Sequence, residues 1–261
     1  MKNLFKQKVA QEPLYGLWLA LADQYSAEIC AGAGFDFLLL DGEHSPIDLR
    51  TILGQLQAVA AYDVAPIVRP PTDDGVLIKQ LLDIGANNLL IPMVESAEQA
   101  RRIVASTRYP PQGFRGVGSG IARAARWGND PDYMLTANDN ICLILQIESV
   151  HGLDNLEAIA ATDGVDGIFF GAVDLSASMG FLGQPDHPEV IAAIDDAIRT
   201  VKACGKFAGF LSADQAISKH FRDQGANFAA IGVDALLLSN AARSLAHAFK
   251  HPHTQIENRG Y

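Results

Sequence analysis

Short runs of consecutive apolar residues alternate along this chain with longer stretches in which apolar positions recur every three or four residues. The runs lie at 16–21, 36–41, 66–69, 88–93, 141–148, 165–171, 207–211 and 228–233. Their near-continuous apolar character predicts strands covered on both faces, as in a parallel sheet under helices. The periodic stretches predict helices at 47–61, 76–84, 97–106, 152–161, 188–204, 214–224 and 235–249. Gly85, Gly205 and Gly225 follow helix ends, where left-handed caps are expected. Strands alternating with helices fit a closed barrel or an open doubly wound sheet. Eight strand candidates favour the α/β (β/α)8 TIM barrel, read as a single domain over 1–261 with 251–261 a loose tail.

One segment breaks the rhythm. Residues 107–132 form a connection about twice the ordinary loop length, read either as a functional loop or as a surface excursion or oligomer contact. Its Gly-rich centre, Arg115 to Gly120, is like a phosphate cradle but does not follow a strand within a βαβ unit. No nucleotide cofactor is therefore expected.

Composition narrows the class. The 261 residues are 49% hydrophobic and 19% charged, with a net charge of −10. That is a globular profile without the clustered positive charge of a nucleic-acid binder. No apolar run approaches the roughly 18 residues of a membrane span, and the N-terminus carries lysines without the apolar core of a secretory signal. Cys30, Cys142 and Cys204 form no CxxC pair and read as inert thiols. A cytoplasmic protein is expected, binding neither nucleic acid nor membrane.

Chemistry in a (β/α)8 barrel gathers at the C-terminal ends of the strands. Strand two ends in Asp41-Gly42-Glu43-His44, strand three in Arg69, strand five in Gln146-Ile147-Glu148, and strand six runs through Gly171 into Asp174. Glu148 and Asp174 follow strongly apolar strands, where two carboxylates repel unless a cation or proton lies between them. A divalent cation with oxygen ligands (Mg²⁺, Mn²⁺ or Co²⁺) answers that repulsion. Spacing alone leaves the pair equally readable as helix caps or salt-bridge partners. His44 lies beside carboxylates that raise its basicity, as a general base requires. Arg69 needs an anionic partner, either a neighbouring carboxylate or a substrate oxyanion. None of Lys2, Lys6, Lys8, Lys79, Lys202, Lys206, Lys219 and Lys250 ends a strand, so no Schiff-base lysine is expected.

LLLDGEHSP at 38–46, IVRP at 67–70, RYPPQGFRGVGS at 108–119, QIES at 146–149 and GVDGIFFGAVDLSASMG at 164–180 together resemble the HpcH/HpaI aldolases. The resemblance covers most of the chain, and the motifs occur in the family's order. It implies a class II, metal-dependent pyruvate aldolase on a (β/α)8 barrel, with the C-terminal helix exchanged between subunits of a homohexamer built from trimers. Glu148 and Asp174 match the metal ligands, His44 the general base, Asp83 the aspartate that raises its basicity, and Arg69 the enolate-stabilising arginine. Gln146 is expected at the substrate. The family's Gly-Pro-Ala-Asp is here Gly171-Ala172-Val173-Asp174, whose amides would hold the keto-acid carboxylate, with Val173 narrowing the pocket. Trp18 and Phe210 are expected to line the aldehyde side. The implied partners are a small 2-oxo acid, pyruvate or a relative such as hydroxypyruvate, and an aldehyde. Rival readings are a citrate-lyase-β or malyl-thioester lyase and a non-catalytic 2-oxo-acid-binding barrel.

Overall fold

The computed structural model describes residues 3–251. Eight parallel strands close on themselves in sequence order. They are β1 (Leu14–Leu19), β2 (Phe37–Asp41), β3 (Ala65–Arg69), β4 (Asn88–Ile91), β5 (Cys142–Ile147), β6 (Gly167–Phe170), β7 (Phe207–Leu211) and β8 (Phe228–Val233). The first helix, α1 (Leu4–Lys8), precedes the barrel. Around it run α2 (Gln24–Ala31), α3 (Leu49–Ala58), α4 (Gly75–Asp83), α5 (Ala97–Thr107) and the short α6 (Tyr133–Thr136). The second half carries α7 (Val150–Asp154), α8 (Leu156–Ala160), α9 (Ala172–Ser178), α10 (Pro188–Ala203), α11 (Gln215–Gln224) and α12 (Asp234–Lys250). The closed barrel expected from the strand count is therefore present. Of the tail expected at 251–261, residues 252–261 lie outside the described residues.

The two-residue period of each strand sorts side chains into two cores. Leu14, Trp18, Phe37, Leu39, Ile67, Leu90, Ile144, Phe169 and Phe228 fill the barrel interior. Leu38, Leu40, Val68, Leu89, Leu143, Ile168, Phe170 and Phe210 face the helices. Aromatic rings inside the barrel occupy space left by glycines. A Cβ at Gly16 would sit 2.3 Å from the Phe37 ring, and one at Gly209 2.2 Å from Phe228. Phe5 of α1 closes the N-terminal mouth, edge-on to Phe37 at 5.8 Å and to Phe228 at 5.5 Å. Lys6 ties the plug down through Asp166 at 2.7 Å. Phe5→Ala is expected to cost about 3–5 kcal/mol of stability, the range for truncating a buried aromatic. Urea unfolding with an unchanged m-value checks it.

Departures from the expected boundaries have local causes. The apolar pattern does not predict α2, because its buried residues are the small Ala27 and Ala31 while Tyr25 (71%) and Ile29 (63%) face outward. The helix expected at 152–161 is two helices, broken at Asn155, whose side chain donates to Glu95 O at 3.0 Å. β1 stops at Leu19 because the Asp234 carboxylate takes the Ala20 and Leu21 amides at 2.7 and 3.3 Å. Gly85, Gly205 and Gly225 have positive φ, as expected of helix caps.

Candidate active site

The C-terminal mouth of the barrel is built from the inward positions of β2, β3 and β5 and the turns that follow. Asp41 and Arg69 are register partners on adjacent strands. Arg69 is 4% exposed. Its Nε donates to Asp41 Oδ1 at 2.9 Å, its Nη2 lies 2.8 Å from the same oxygen, and its Nη1 lies 2.7 Å from Glu43 Oε2. The Trp18 ring lies 4.5 Å from the guanidinium carbon, and its Nε1–H donates to Asp41 Oδ2 at 3.0 Å. The guanidinium is thus fixed in plane and in position, with its charge held in a low-dielectric floor.

The carboxyls here differ in acidity for visible reasons. Burial raises Asp41, but the hydrogen bond and charge of Arg69, with the Trp18 and Glu43 N–H donors, outweigh it and hold Asp41 below its usual range. Burial dominates at Glu43 and raises it, although Arg69 and His44 pull the other way. Burial also raises Glu148; Gln146 and Met93 oppose this, while Glu43 and Asp174 add to it. A pair of acids with opposite shifts at one mouth is a hallmark of a site built for proton and charge work.

Glu148 is 3% exposed and held from both sides. Met93 N donates to Oε1 at 2.7 Å, and Gln146 Nε2 donates to Oε2. Met93 takes a left-handed backbone (φ 53°) to present that amide, a conformation costly for a residue with a side chain. Just past β6, Gly171 leaves room for the carboxylate, since a Cβ there would lie 2.6 Å from Glu148 Oε2. Asp174 follows in the first turn of α9. The two acids expected to hold a metal therefore stand at the same mouth on neighbouring strand ends, near enough for the charge of Asp174 to raise Glu148. Among the described residues no set of three His, Cys, Asp or Glu converges as metal ligands, so such an ion would have two protein carboxylates and take its remaining ligands from water or substrate. The donor set fits a hard divalent cation. Gln146 Oε1 is buried without a hydrogen-bond donor, a position that ordered water on such an ion would satisfy. Gly171→Ala is expected to weaken Mn²⁺ binding about 10–100-fold by pushing Glu148 aside, a loss comparable to that from disturbing a ligand's supporting partners. Calorimetric titration reads it.

The remaining expected residues divide. His44 stands on the rim with its side chain 67% exposed and Nε2 3.7 Å from Glu43 Oε2. Ala172 and Val173 open α9, where first-turn amides have no partner within the helix. Val173, in the first turn of α9, is 58% exposed. Trp18, 6% exposed, lies with the Arg69 guanidinium over its ring. Phe210 is a correction: alternation along β7 turns it outward, 1% exposed and 5.1 Å from Phe221 in the helix-facing core. Leu211 is the inward residue at that strand end. Asp83 is not brought to His44 within one chain. α4 runs back from the mouth, about 13 Å for its nine residues at 1.5 Å each. At its far end Asp83 Oδ1 accepts from Arg115 Nη2 at 2.7 Å. That ion pair also shows that Arg115 does not build a phosphate cradle. Sequence reasoning names Asp41 and Glu43 only as neighbours of His44; the register of Asp41 with Arg69 marks the first, and Glu43 follows in the turn after β2.

Known proteins resemble this chain over most of its length. A family model described as HpcH/HpaI aldolase/citrate lyase matches residues 14–241. The chain is 59% identical over 251 residues to a hydroxypyruvate/pyruvate aldolase of Deinococcus radiodurans, spanning 96% of this chain and 91% of that protein. It is 55% identical over 250 residues to a 4-hydroxy-2-oxo-heptane-1,7-dioate aldolase of Salmonella dublin, spanning 95% of each. A crystal structure of an HpcH/HpaI aldolase/citrate lyase family protein from Burkholderia cenocepacia superposes with a TM-score of 0.91 at 39% identity, over 95% of this chain and 100% of that one.

Proposed function

The chain belongs to the HpcH/HpaI aldolase/citrate lyase family, and from that premise we propose that it is a class II aldolase that reversibly cleaves 4-hydroxy-2-oxo acids to an aldehyde and pyruvate or hydroxypyruvate. Relatives at 55–59% identity carry those aldolase names over nearly the full chain, which favours this reading over a thioester lyase or a binding barrel. The observation that carries it is the convergence of Arg69, Glu148 and Asp174 at one mouth, since a binding barrel has no need of a pinned guanidinium beside a carboxylate pair.

The family is generally dependent on a divalent metal. In this chain Glu148 and Asp174 would hold Mg²⁺, Mn²⁺ or Co²⁺, which when bound supplies a Lewis acid toward the 2-oxo group. Gln146 keeps Glu148 oriented through Oε2, as Met93 does through Oε1. The amides at Ala172 and Val173, at the start of α9, would receive the substrate carboxylate. His44 takes the proton from the 4-hydroxyl as the C3–C4 bond breaks, and the electron pair passes into the enolate of pyruvate. Arg69, already fixed by Asp41 and Glu43, faces the charge that develops there. In the reverse direction His44 returns the proton to the new alkoxide. Asp83 supports His44 only across a subunit boundary, because α4 carries it away from its own mouth.

The surface of α12 supports the assembly in this reading. This helix leaves Leu237 (54%), Leu238 (60%), Leu245 (63%) and Phe249 (83%) exposed on a single copy. An apolar face of that extent on a C-terminal helix supports its exchange onto a neighbour within a homohexamer, a dimer of trimers. Leu238→Glu with Leu245→Glu is expected to convert the assembly to smaller species in light scattering. No helix among the described residues is long and apolar enough to cross a membrane; a cytoplasmic location remains part of this reading. The functional proposal is tested by offering a panel of aldehydes with pyruvate and with hydroxypyruvate. Formation of 4-hydroxy-2-oxo acids is expected. Turnover confined to coenzyme A thioesters would contradict the proposal.

A further inference from the structure

Residues 108–133 clasp the far end of α4, and Arg115 is the centre of that clasp. Ala124 N donates to Asp83 O at 3.0 Å, and Arg123 Nη1 to Ile84 O at 2.7 Å. Phe114 N and Arg115 N close the base of the loop on Ala105 O and Arg108 O at 2.9 and 2.8 Å. The Arg115 side chain is fully buried. The Tyr109 ring lies 4.4 Å and the Tyr133 ring 6.0 Å from its guanidinium carbon. Nη2 donates to Asp83 Oδ1 at 2.7 Å and to the Tyr133 hydroxyl at 3.1 Å, while Nε and Nη1 have no partner among the described residues. Burying a guanidinium with two of its three nitrogens unsatisfied is expensive. The ion pair with Asp83 is what offsets that penalty, and Asp83 Oδ2 takes part in no hydrogen bond among the described residues.

We propose that Arg115 is a positioning residue for the aldol reaction. It fixes Asp83 by Oδ1, leaves Oδ2 for the imidazole of a neighbouring copy's His44, and offsets part of the carboxylate charge that this imidazole meets. The long 107–132 excursion exists to carry that buttress. The inference rests on the reading that Asp83 serves His44 between subunits.

The ionisable groups around the pair set the signs. Asp83 meets Arg115 directly, and the Tyr133 hydroxyl shares the same Nη2 donor. Tyr109 lies behind Arg115, its hydroxyl pushed up to about 12 chiefly by burial. Lys79 Nζ lies 4.0 Å from the position of a Cβ on Gly116, and Arg123 caps the end of α4. On its own chain His44 meets Glu43 at 3.7 Å and gives its amide to Asp41, with Arg69 behind Glu43. A carboxylate beside an imidazole favours its protonated form, and a guanidinium on that carboxylate opposes the effect. Removing the carboxylate lowers the pKa of the base, and removing the guanidinium raises it.

The test uses the assembled, metal-loaded enzyme and follows the pH profile of pyruvate methyl-proton exchange, whose acidic limb reports the base. Arg115→Met is expected to move that limb up by about one pH unit, and Asp83→Asn to move it down by a similar amount. The double variant is expected to coincide with Asp83→Asn. If Asp83→Asn moves the limb and Arg115→Met does not, Arg115 has no part in tuning the base and this proposal alone is overturned. If the limb stays put in Asp83→Asn, the inter-subunit reading fails and takes the proposal with it. An upward shift for Arg115→Met that persists in the Asp83→Asn background also overturns it. Should the methionine variant not assemble, Arg115→Lys keeps the charge but loses the planar fork. It is then expected to lower kcat several-fold with the limb unmoved, and a wild-type kcat would overturn the proposal.

Discussion

Glu148→Gln is expected to lower pyruvate enolisation about 10³-fold or more, because a Lewis acid is worth several kcal/mol of charge stabilisation and each 1.36 kcal/mol is tenfold in rate. The change is nearly isosteric, and the amide oxygen can still accept the Met93 N–H that now reaches Oε1 at 2.7 Å. The loss is therefore one of charge rather than of packing. Burial, with Glu43 and Asp174 nearby, already disfavours ionised Glu148. The variant without metal should accordingly unfold no earlier than the metal-free parent. What disappears is the rise in Tm that saturating Mn²⁺ gives the parent, since a ligand stabilises only the state that binds it. Calorimetric melts with and without the ion, set beside proton-exchange rates, separate this outcome from general damage.

Arg69→Met is expected to lower kcat about 10²–10³-fold, the scale for losing one preorganised charge partner of a developing oxyanion. It should also cost stability, about 3–5 kcal/mol at neutral pH, because Asp41 is left buried without its counter-ion. The pH dependence has a definite sign. In the parent, Asp41 is held below its usual value, so it contributes stability above the unfolded carboxylate pKa and loses it as pH falls through the lowered folded value. The variant lacks that contribution. Its deficit should be full near neutrality and shrink below about pH 4, where the unfolded chain also binds the proton. Urea midpoints across pH read the trend, and Arg69→Lys should retain part of the stability but little of the rate.

The strands and their order are legible in the sequence because each barrel strand is buried on both faces and so reads as an uninterrupted apolar run. Glu148 and Asp174 stand out for the same reason, as carboxylates placed where such runs end. Phe210 is misplaced by the same signal, because an apolar run carries no alternation to say which residue faces the lumen. Only the register of β7, with Phe210 beside Phe170, puts Leu211 inward. Asp41 is hidden inside a motif whose histidine is the more conspicuous group, yet its pairing with Arg69 follows from strand register. Asp83 is visible through resemblance alone. Nothing local marks a helix-terminal aspartate as catalytic when its proposed imidazole partner belongs to another copy. The contribution of Met93 is made by backbone in a strained conformation, and side-chain identity does not encode it.

Exchange of the methyl protons of pyruvate in D₂O probes the carboxylate pair most directly, since it needs the enolate but no aldehyde. Enzyme stripped with EDTA should leave the methyl signal intact, and Mn²⁺, Mg²⁺ or Co²⁺ should restore exchange with saturation at one ion per chain. Exchange at the full rate in the stripped enzyme would contradict the assignment of Glu148 and Asp174 as the seat of a catalytic cation.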